Sequence, residues 1–339
     1  MAFLLTIVAV SLSAYLTKHF INPLSRFHYL DHPNERSLHS MPVPRTGGLA
    51  ICITLVSVCP ASLYFFDLDS SVAFIGIGAI SVALVSYMDD QYSLSASIRF
   101  AVHAFAALIL LVGGLYLKAL ELPLLLWSWP TLIGLVFSFL FVVWMVNLYN
   151  FMDGMDGFAG GMSIFGFASF AIMGWIHGDW LFCSLSLTIV GSVTGFLYFN
   201  FPPAKIFMGD TGSSTLGFLV AAFSLWANKE GIFTLWIGVL VFSPFVVDAT
   251  VTLLRRFVNR ENILQAHRSH YYQRLVLYGW GHQKTVIIEY ILMFCCSVSA
   301  ITARFLPGYG QLGIILAWIL IYLCIIARIN RLKNSQGLL

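Results

Sequence analysis

Apolar runs of about 20 residues, separated by short polar breaks, recur along the whole sequence, and each is long enough to cross a hydrocarbon layer roughly 30 Å thick. Eleven spans are expected, at 2–20, 48–66, 71–88, 100–117, 124–146, 158–177, 180–199, 213–227, 232–252, 286–304 and 310–328. The runs are continuous rather than alternating, which predicts helices and not the strands of a barrel. Pro244 removes a backbone donor inside the ninth run and predicts a kink there. No loop is long enough to form a second unit and no internal repeat is present, so the reading is all-α: one integral-membrane domain over 1–339.

Composition narrows the class further. With 59% hydrophobic and 10% charged residues and a mean hydropathy of +0.86, the chain has too little polar surface for a soluble enzyme or a secreted scaffold. A net charge of +3 is too small to imply nucleic-acid binding, and the partner it does imply is the lipid bilayer. The six cysteines lie within apolar runs without ligand spacing, so neither disulfides nor zinc are expected. The first run lacks a basic leader and a cleavage site, and is expected to stay as a helix with its amino terminus outside. Eleven crossings then put Lys18, Arg26, Arg36, Arg45, Arg99, Lys205, Arg255, Arg256, Arg260, Arg268, Arg274, Lys284, Arg328, Arg331 and Lys333 on one side, 15 of the 18 basic residues. Lys118, Lys229 and Arg304 fall on the other. That bias marks the richer side as cytoplasmic.

Nearly every polar cluster falls on the same side. Asp31 to His39, followed by Arg45 and Gly47-Gly48, reads as an extended loop entering a helix, with donors for an anion or simply a positive anchor. Asp89-Asp90 closes the third span; two adjacent carboxylates at a membrane boundary call for a cation, a metal or a proton, unless they merely meet water. The segment Asn147-Leu-Tyr-Asn150-Phe-Met-Asp153-Gly-Met-Asp156-Gly157 pairs two acids with turn-forming glycines and two amides suited to a nucleotide or sugar. Asn200, Lys205, Phe207 and Asp210 join the seventh and eighth spans. Asp210 stands at a helix start, where backbone amides favour an anion or where it caps the helix. Asp248, Arg255-Arg256 and His267-Arg268-Ser-His270 end the series, as phosphate donors or a headgroup anchor. Independent anchors and caps do not explain such a concentration in consecutive loops of one side; a shared site does.

In these residues the sequence resembles the polyprenyl-phosphate N-acetylhexosamine-1-phosphate transferase family, from about Asp31 to Arg274. Asn147–Gly157 and Pro203-Ala-Lys-Ile-Phe-Met-Gly-Asp-Thr-Gly-Ser213 carry the resemblance most strongly, with Asp89-Asp90 in order before them. It implies transfer of a sugar 1-phosphate from a UDP-N-acetylhexosamine to undecaprenyl phosphate in the bacterial inner membrane, with Mg2+ or Mn2+. It further implies Asp210, Asp90 and Asp153 at the metal, Asp89 or Asp90 handling the lipid phosphate, and His267 and His270 acting with them. Arg45, Asn147, Asn150, Asp153, Asp156, Asn200, Lys205, Phe207 and Arg268 would bind substrate. The Asn34-Glu-Arg-Ser-Leu-His39 opening and His267-Arg-Ser-His270 look most like enzymes that initiate O-antigen or related surface glycans. The peptidoglycan branch carries a lysine where this chain has Ser93, and a triple histidine where Arg268 and Ser269 interrupt the pair. The sugar stays open between N-acetylglucosamine and deoxy relatives such as N-acetylfucosamine or N-acetylquinovosamine. A transporter is the rival class, although transporter sites lie near the midplane, where these spans are poor in charge.

Overall fold

The computed structural model describes residues 1–33, 38, 41–66, 69–262 and 267–335. Asn34–Ser37 and His39 of the first polar loop lie outside that description. The elements run α1 (Ala2–Ile21), β1 (Leu30–Asp31), β2 (Val43–Pro44), α2 (Gly47–Phe65), α3 (Ser71–Tyr92), α4 (Ala96–Val112), β3 (Ala119–Leu122), β4 (Leu125–Ser128) and α5 (Thr131–Met152). They continue through α6 (Phe158–His177), α7 (Trp180–Asn200), α8 (Gly209–Lys229), α9 (Leu235–Val241), α10 (Ser243–Val258), α11 (Tyr271–Leu275), α12 (Gly281–Ala303) and α13 (Gly308–Ser335). Two small antiparallel hairpins, β1 with β2 and β3 with β4, add strand to a helical molecule.

Among the described residues, eight helices are long and apolar enough to cross a membrane, and nine if the bent pair α9 and α10 makes one span. That measure leaves out two of the eleven expected spans and so does not confirm their number. The fourth expected span is α4, whose 17 residues rise about 25 Å and fall just under the length that measure requires. The eighth is α8, long enough at 21 residues but begun by Gly-Asp-Thr-Gly-Ser-Ser-Thr, which keeps it outside the apolar set. Its position gives the reason. Every residue from Thr211 to Ala227 is buried, with α2, α3 and α5 packed around it, so α8 meets protein rather than lipid and has no need of an apolar surface. The fifth span starts at Thr131 rather than 124, because 119–128 forms the β3–β4 hairpin. The ninth breaks as Pro244 predicts: α9 and α10 meet at 85°, with the proline in the first turn of α10.

Two ends emerge. At one, Lys229 reaches Asp69 at 3.6 Å and Arg304 donates to the Met173 carbonyl at 2.6 Å. At the other, the loops after α1, α3, α5, α7 and α10 converge. Between the ends, buried hydroxyls link helices across an apolar core, as with Tyr149 Oη and Ser163 Oγ at 2.6 Å or Ser62 Oγ and Ser184 Oγ at 2.9 Å. Phe167, Phe170, Phe182, Phe233 and Phe242 fill the core around them, Phe170 and Phe233 with ring centroids 4.8 Å apart.

Glycine brings α2 onto α8. A Cβ on Gly48 would lie 2.1 Å from the Gly212 amide nitrogen and 2.4 Å from its Cα, so no side chain fits between the two first turns. Gly76 of α3 has nothing within 4 Å of such a Cβ. Gly48→Ala is expected to lower the thermal unfolding midpoint by the equivalent of about 1–3 kcal/mol of overpacking. Gly76→Ala leaves it unchanged or raises it; equal effects of the two in detergent-solubilised protein would refute the close contact.

Candidate active site

The site is built from helix ends. Asp89 and Asp90 stand in the last turn of α3, and Ser93 ends the helix in a left-handed conformation (φ 51°) that turns the chain back on it. Leu94 then donates its N–H to Asp89 Oδ1 at 2.6 Å. From the first turn of α4, Arg99 Nη1 lies 2.8 Å from Asp89 Oδ2 and 3.5 Å from Asp210 Oδ2, one cation shared by two acids.

Asp90 has a different task. α8 starts with no capping side chain of its own. Asp90 Oδ1 accepts the Asp210 N–H at 3.0 Å, and Oδ2 accepts the Thr211 N–H at 3.0 Å and its hydroxyl at 2.6 Å. The carboxylate thus satisfies the exposed donors at the positive end of the α8 dipole from another helix. Arg45 Nη2 donates to the Asp90 carbonyl, and Arg45 Nη1 lies 3.8 Å from Asp31, which the β1–β2 pairing holds beside it. Gly209 makes the approach feasible: its φ is +70°, and a Cβ there would fall 2.4 Å from the Arg45 carbonyl oxygen.

The turn after α5 is held from two sides. Asn200 Oδ1 accepts the Gly157 N–H at 2.9 Å while its Nδ2 donates to the Ile206 carbonyl at 2.8 Å, so both ends of this amide are used in joining two loops. Asp156 Oδ2 accepts the Ala204 N–H at 3.0 Å, and its Oδ1 lies 3.2 Å from His282 Nδ1. Asn150 Nδ2 donates to Ser213 Oγ at 3.2 Å, tying α5 to α8. Asp248 repeats the capping device. It accepts the N–H groups of Tyr271 at 2.9 Å and Tyr272 at 3.0 Å, and lies 3.2 Å from His270 Nδ1.

These ends enclose a cavity of about 410 Å³. Of the residues expected from sequence, Arg45, Asp90, Asn150, Asp153, Asp156, Asn200, Phe207, Asp210 and His267 line it. Five expected residues do not. Asp89 is held by Arg99 and Leu94 N–H behind Asp210. Asn147 donates along its own helix to the Val143 carbonyl at 2.7 Å. Lys205 and Arg268 are exposed and outside the lining. His270, expected to be catalytic, is 2% exposed and packs behind His267 with ring centroids 4.9 Å apart, which makes it a positioning residue. Sequence reading passed over Gln273 and His282 as lining groups. Gln273 is hidden in a histidine-rich loop, and only its acceptance of the His270 N–H at 3.2 Å defines the turn that carries it. His282 carried no signal beyond an interface position; its pairing with Asp156 is what marks it.

Two titrating groups of the loops are shifted. Burial, reinforced by the carboxylates of Asp210, Asp90 and Asp156, pushes Asp153 well above the usual carboxylate range. His267 is held down to about 4 by burial, with His270 and Arg256 adding to it. Its Nδ1 accepts the Ser269 N–H at 3.3 Å, so the neutral ring carries its proton on Nε2. Asp153 is the open acid: among the described residues its carboxylate has no hydrogen-bond donor and no cation, only like charges around it.

That arrangement bears on a divalent ion. No three His, Cys, Asp or Glu side chains among the described residues converge as a finished metal shell. Magnesium, however, is commonly held by one or two carboxylates, the rest of its shell coming from water and substrate phosphates. Asp153 and Asp210, repelling one another across the cavity, fit that donor set. Asp90, expected as a third ligand, has both oxygens engaged by α8 and instead supports Asp210.

Residues 71–228 match the family described as glycosyl transferase family 4, a stretch that holds every acid of the site except Asp31 and Asp248. Over 312 residues the chain is 33% identical to the probable undecaprenyl-phosphate N-acetylglucosaminyl 1-phosphate transferase of Bacillus subtilis (strain 168), covering 91% of this chain and 86% of that one. It is 29% identical over 320 residues to the decaprenyl-phosphate N-acetylglucosaminephosphotransferase of Mycobacterium leprae (strain TN), covering 83% and 80%. It is 27% identical over 309 residues to the phospho-N-acetylmuramoyl-pentapeptide-transferase of Staphylococcus saprophyticus, covering 85% and 94%.

An acid whose folded pKa is raised costs stability as pH climbs from the unfolded value, about 4, through the folded one. Asp153→Asn is therefore expected to raise the unfolding midpoint of the ligand-free protein near neutral pH and to flatten its decline as pH rises above the unfolded value. Asp248→Asn lowers the midpoint instead, by the equivalent of about 1–2 kcal/mol, through the lost cap of α11. A thermal series across pH on both variants checks the contrast; destabilisation by both would mean that Asp153 is not an uncompensated charge.

Proposed function

The chain belongs to glycosyl transferase family 4, and from that premise we propose that it transfers an N-acetylhexosamine 1-phosphate from a UDP-sugar to undecaprenyl phosphate, releasing UMP. The reaction runs at the cytoplasmic face of a bacterial inner membrane and starts O-antigen or a related surface polysaccharide. The observation that carries this reading is Asp153, without a partner among the described residues, together with Asp210 in a cavity at the basic end of the helices, with Arg45 on its wall. A site at one end of the bundle also favours transfer between a lipid and a soluble substrate over transport through the midplane.

Asp153 and Asp210 would hold Mg2+, or Mn2+ in its place, which supplies neutralisation of the diphosphate and of the departing UMP. The residues of the chain do the rest. Arg45 takes a phosphate oxygen of the substrate, its Nε being buried without a partner among the described residues. Neutral His267 donates from Nε2. Arg99 keeps Asp89 and Asp210 from repelling each other and so fixes the direction of Asp210. Asn150 and Asn200 set the walls against which the nucleotide rests, and Phe207 gives it an apolar face.

The acceptor oxygen attacks the phosphorus that bears the sugar, and the bond to UMP breaks; one anhydride replaces another. A phosphate monoester with its second pKa near 6 is largely dianionic at neutral pH, so it needs no general base. Asp89 and Asp90, both tied by hydrogen bonds, are accordingly read as supports rather than proton acceptors. UDP-N-acetylglucosamine is the first donor to test, on the names of two relatives, followed by its N-acetylfucosamine and N-acetylquinovosamine counterparts. Ser93 and the Arg268-Ser269 interruption argue against a muramoyl-pentapeptide donor.

Purified protein given undecaprenyl phosphate and a panel of UDP-sugars is expected to form a lipid-linked sugar diphosphate, read by mass. Asp210→Asn should lower kcat by about 10²–10³ and chelation should abolish turnover, while Lys205→Ala stays within a few-fold. Uptake of the UDP-sugar into vesicles without lipid product would favour the transporter instead.

Because His267 is already neutral above about pH 4, kcat/KM should show no limb near pH 6–7 that His267→Gln removes. Such a limb, present in the parent and lost in the variant, would show an imidazolium at work.

A further inference from the structure

α13 is the most lipid-exposed of the long helices, with only 11% of its apolar window buried. Near its C-terminal end one face opens into a cavity of about 550 Å³, lined by Cys324, Ala327, Arg328, Arg331 and Leu332. None of these residues lines the 410 Å³ cavity of the candidate active site. The spacing is that of a single helical stripe. Ile321 and Cys324 stand two turns before Arg328 and Arg331, and Leu320 and Ile321, 63% and 42% exposed, continue the stripe along the helix.

The arginines near this end fall into two kinds. Arg274 is spent on structure: Nη1 donates to Asn330 Oδ1 at 2.9 Å, Nε donates to Tyr278 Oη at 3.2 Å, and the guanidinium lies 5.0 Å over the Tyr271 ring. That contact fixes α13 against α11 and holds the stripe in place. Arg328 and Arg331, three residues apart, have no hydrogen bond, ion pair or ring partner among the described residues. Two cations without a counter-charge, at the end of an exposed apolar stripe, complement an amphiphile with an anionic head and long chains. The loop on this end belongs to the basic side of the molecule, where an anionic leaflet surface meets the protein.

We propose that this niche binds an anionic glycerophospholipid of the surrounding bilayer, its phosphate between Arg328 and Arg331 and an acyl chain along Cys324, Ile321 and Leu320. None of its residues lines the candidate active site, and its lipid is retained rather than converted.

The full chain, purified in detergent, is exchanged with an equimolar mixture of phosphatidylglycerol and phosphatidylcholine, washed, and its retained lipid weighed by mass spectrometry. The parent protein is expected to keep phosphatidylglycerol in preference, and an R328Q/R331Q double variant to bind it about thirtyfold more weakly, two surface charges being lost. R328K/R331K, which keeps both charges, retains the preference. Lys18→Gln, an exposed cation at the same end of α1, leaves retention unchanged. Undiminished retention in the glutamine variant, preferential displacement of the lipid by undecaprenyl phosphate, or protection of this face by a second copy of the chain would each overturn the proposal. The readout is bound lipid and not product, so its failure and the failure of the transferase reading are independent.

Discussion

The arrangement of the cavity depends on one carboxylate. Asp90, at the end of one helix, closes the start of another: three hydrogen bonds from Asp210 and Thr211 meet its two oxygens. A charge at a membrane boundary is costly unless donors surround it, and the first amides of a helix are equally costly unless an acceptor meets them. Each answers the other. The consequence is geometric, because the first turn of α8 can then start only where α3 ends, and Asp210 is carried to the cavity wall by its own backbone bond to Asp90. Gly209 contributes by absence, since a side chain there would meet the Arg45 carbonyl and the Asp90 carboxylate, while Gly48 and Gly212 let α2 close onto the same first turn of α8.

Asp248 and α11 repeat the device at smaller scale. The wall bearing Gln273 and the loop bearing His267 are thereby located relative to α10, on the far side of an 85° break. Two helix starts, each capped by a distant aspartate, face each other across one opening. Such caps also explain why the cavity keeps some acids free: those that cap are satisfied, and those that do not, Asp153 above all, carry the unbalanced charge.

Much of this was legible in the sequence. The position of the site followed from which loops held acids and amides, and nine of the expected residues do line the cavity. Their roles were not legible, because identical letters serve opposite ends. Asp90 and Asp153 read alike until a partner 120 residues away engages the first while, among the described residues, nothing engages the second. His270 and His267 share a motif, yet the Asp248 carboxylate draws one ring into the protein and leaves the other at the surface of the cavity. Hydropathy alone does not return all eleven expected crossings, because it reports what faces lipid, and α8, the most enclosed helix, faces none. The start of the fifth span was misplaced because β3 and β4 use apolar residues such as Leu125, Leu126 and Trp127, which a window cannot distinguish from the start of a span.

One expectation changes meaning altogether. A helix start beside Asp210 suggested an anion site made of backbone amides, and the anion there is Asp90 itself. The dipole of α8 is already answered and has little attraction left for a phosphate. On the proposed function, attraction for a doubly charged diphosphate would then come from Arg45 and from a cation held by Asp153 and Asp210, since Arg99 is shared between two carboxylates. In the proposed reaction, a cavity with more acid than base would repel a bare nucleotide sugar and accept one in company with positive charge, so that cation and substrate would be cooperative ligands, each lowering the cost of bringing the other into a partly desolvated pocket. On that reading the capping of α8 has a second effect beyond geometry: with its dipole already answered, the site would depend on a cation for its affinity.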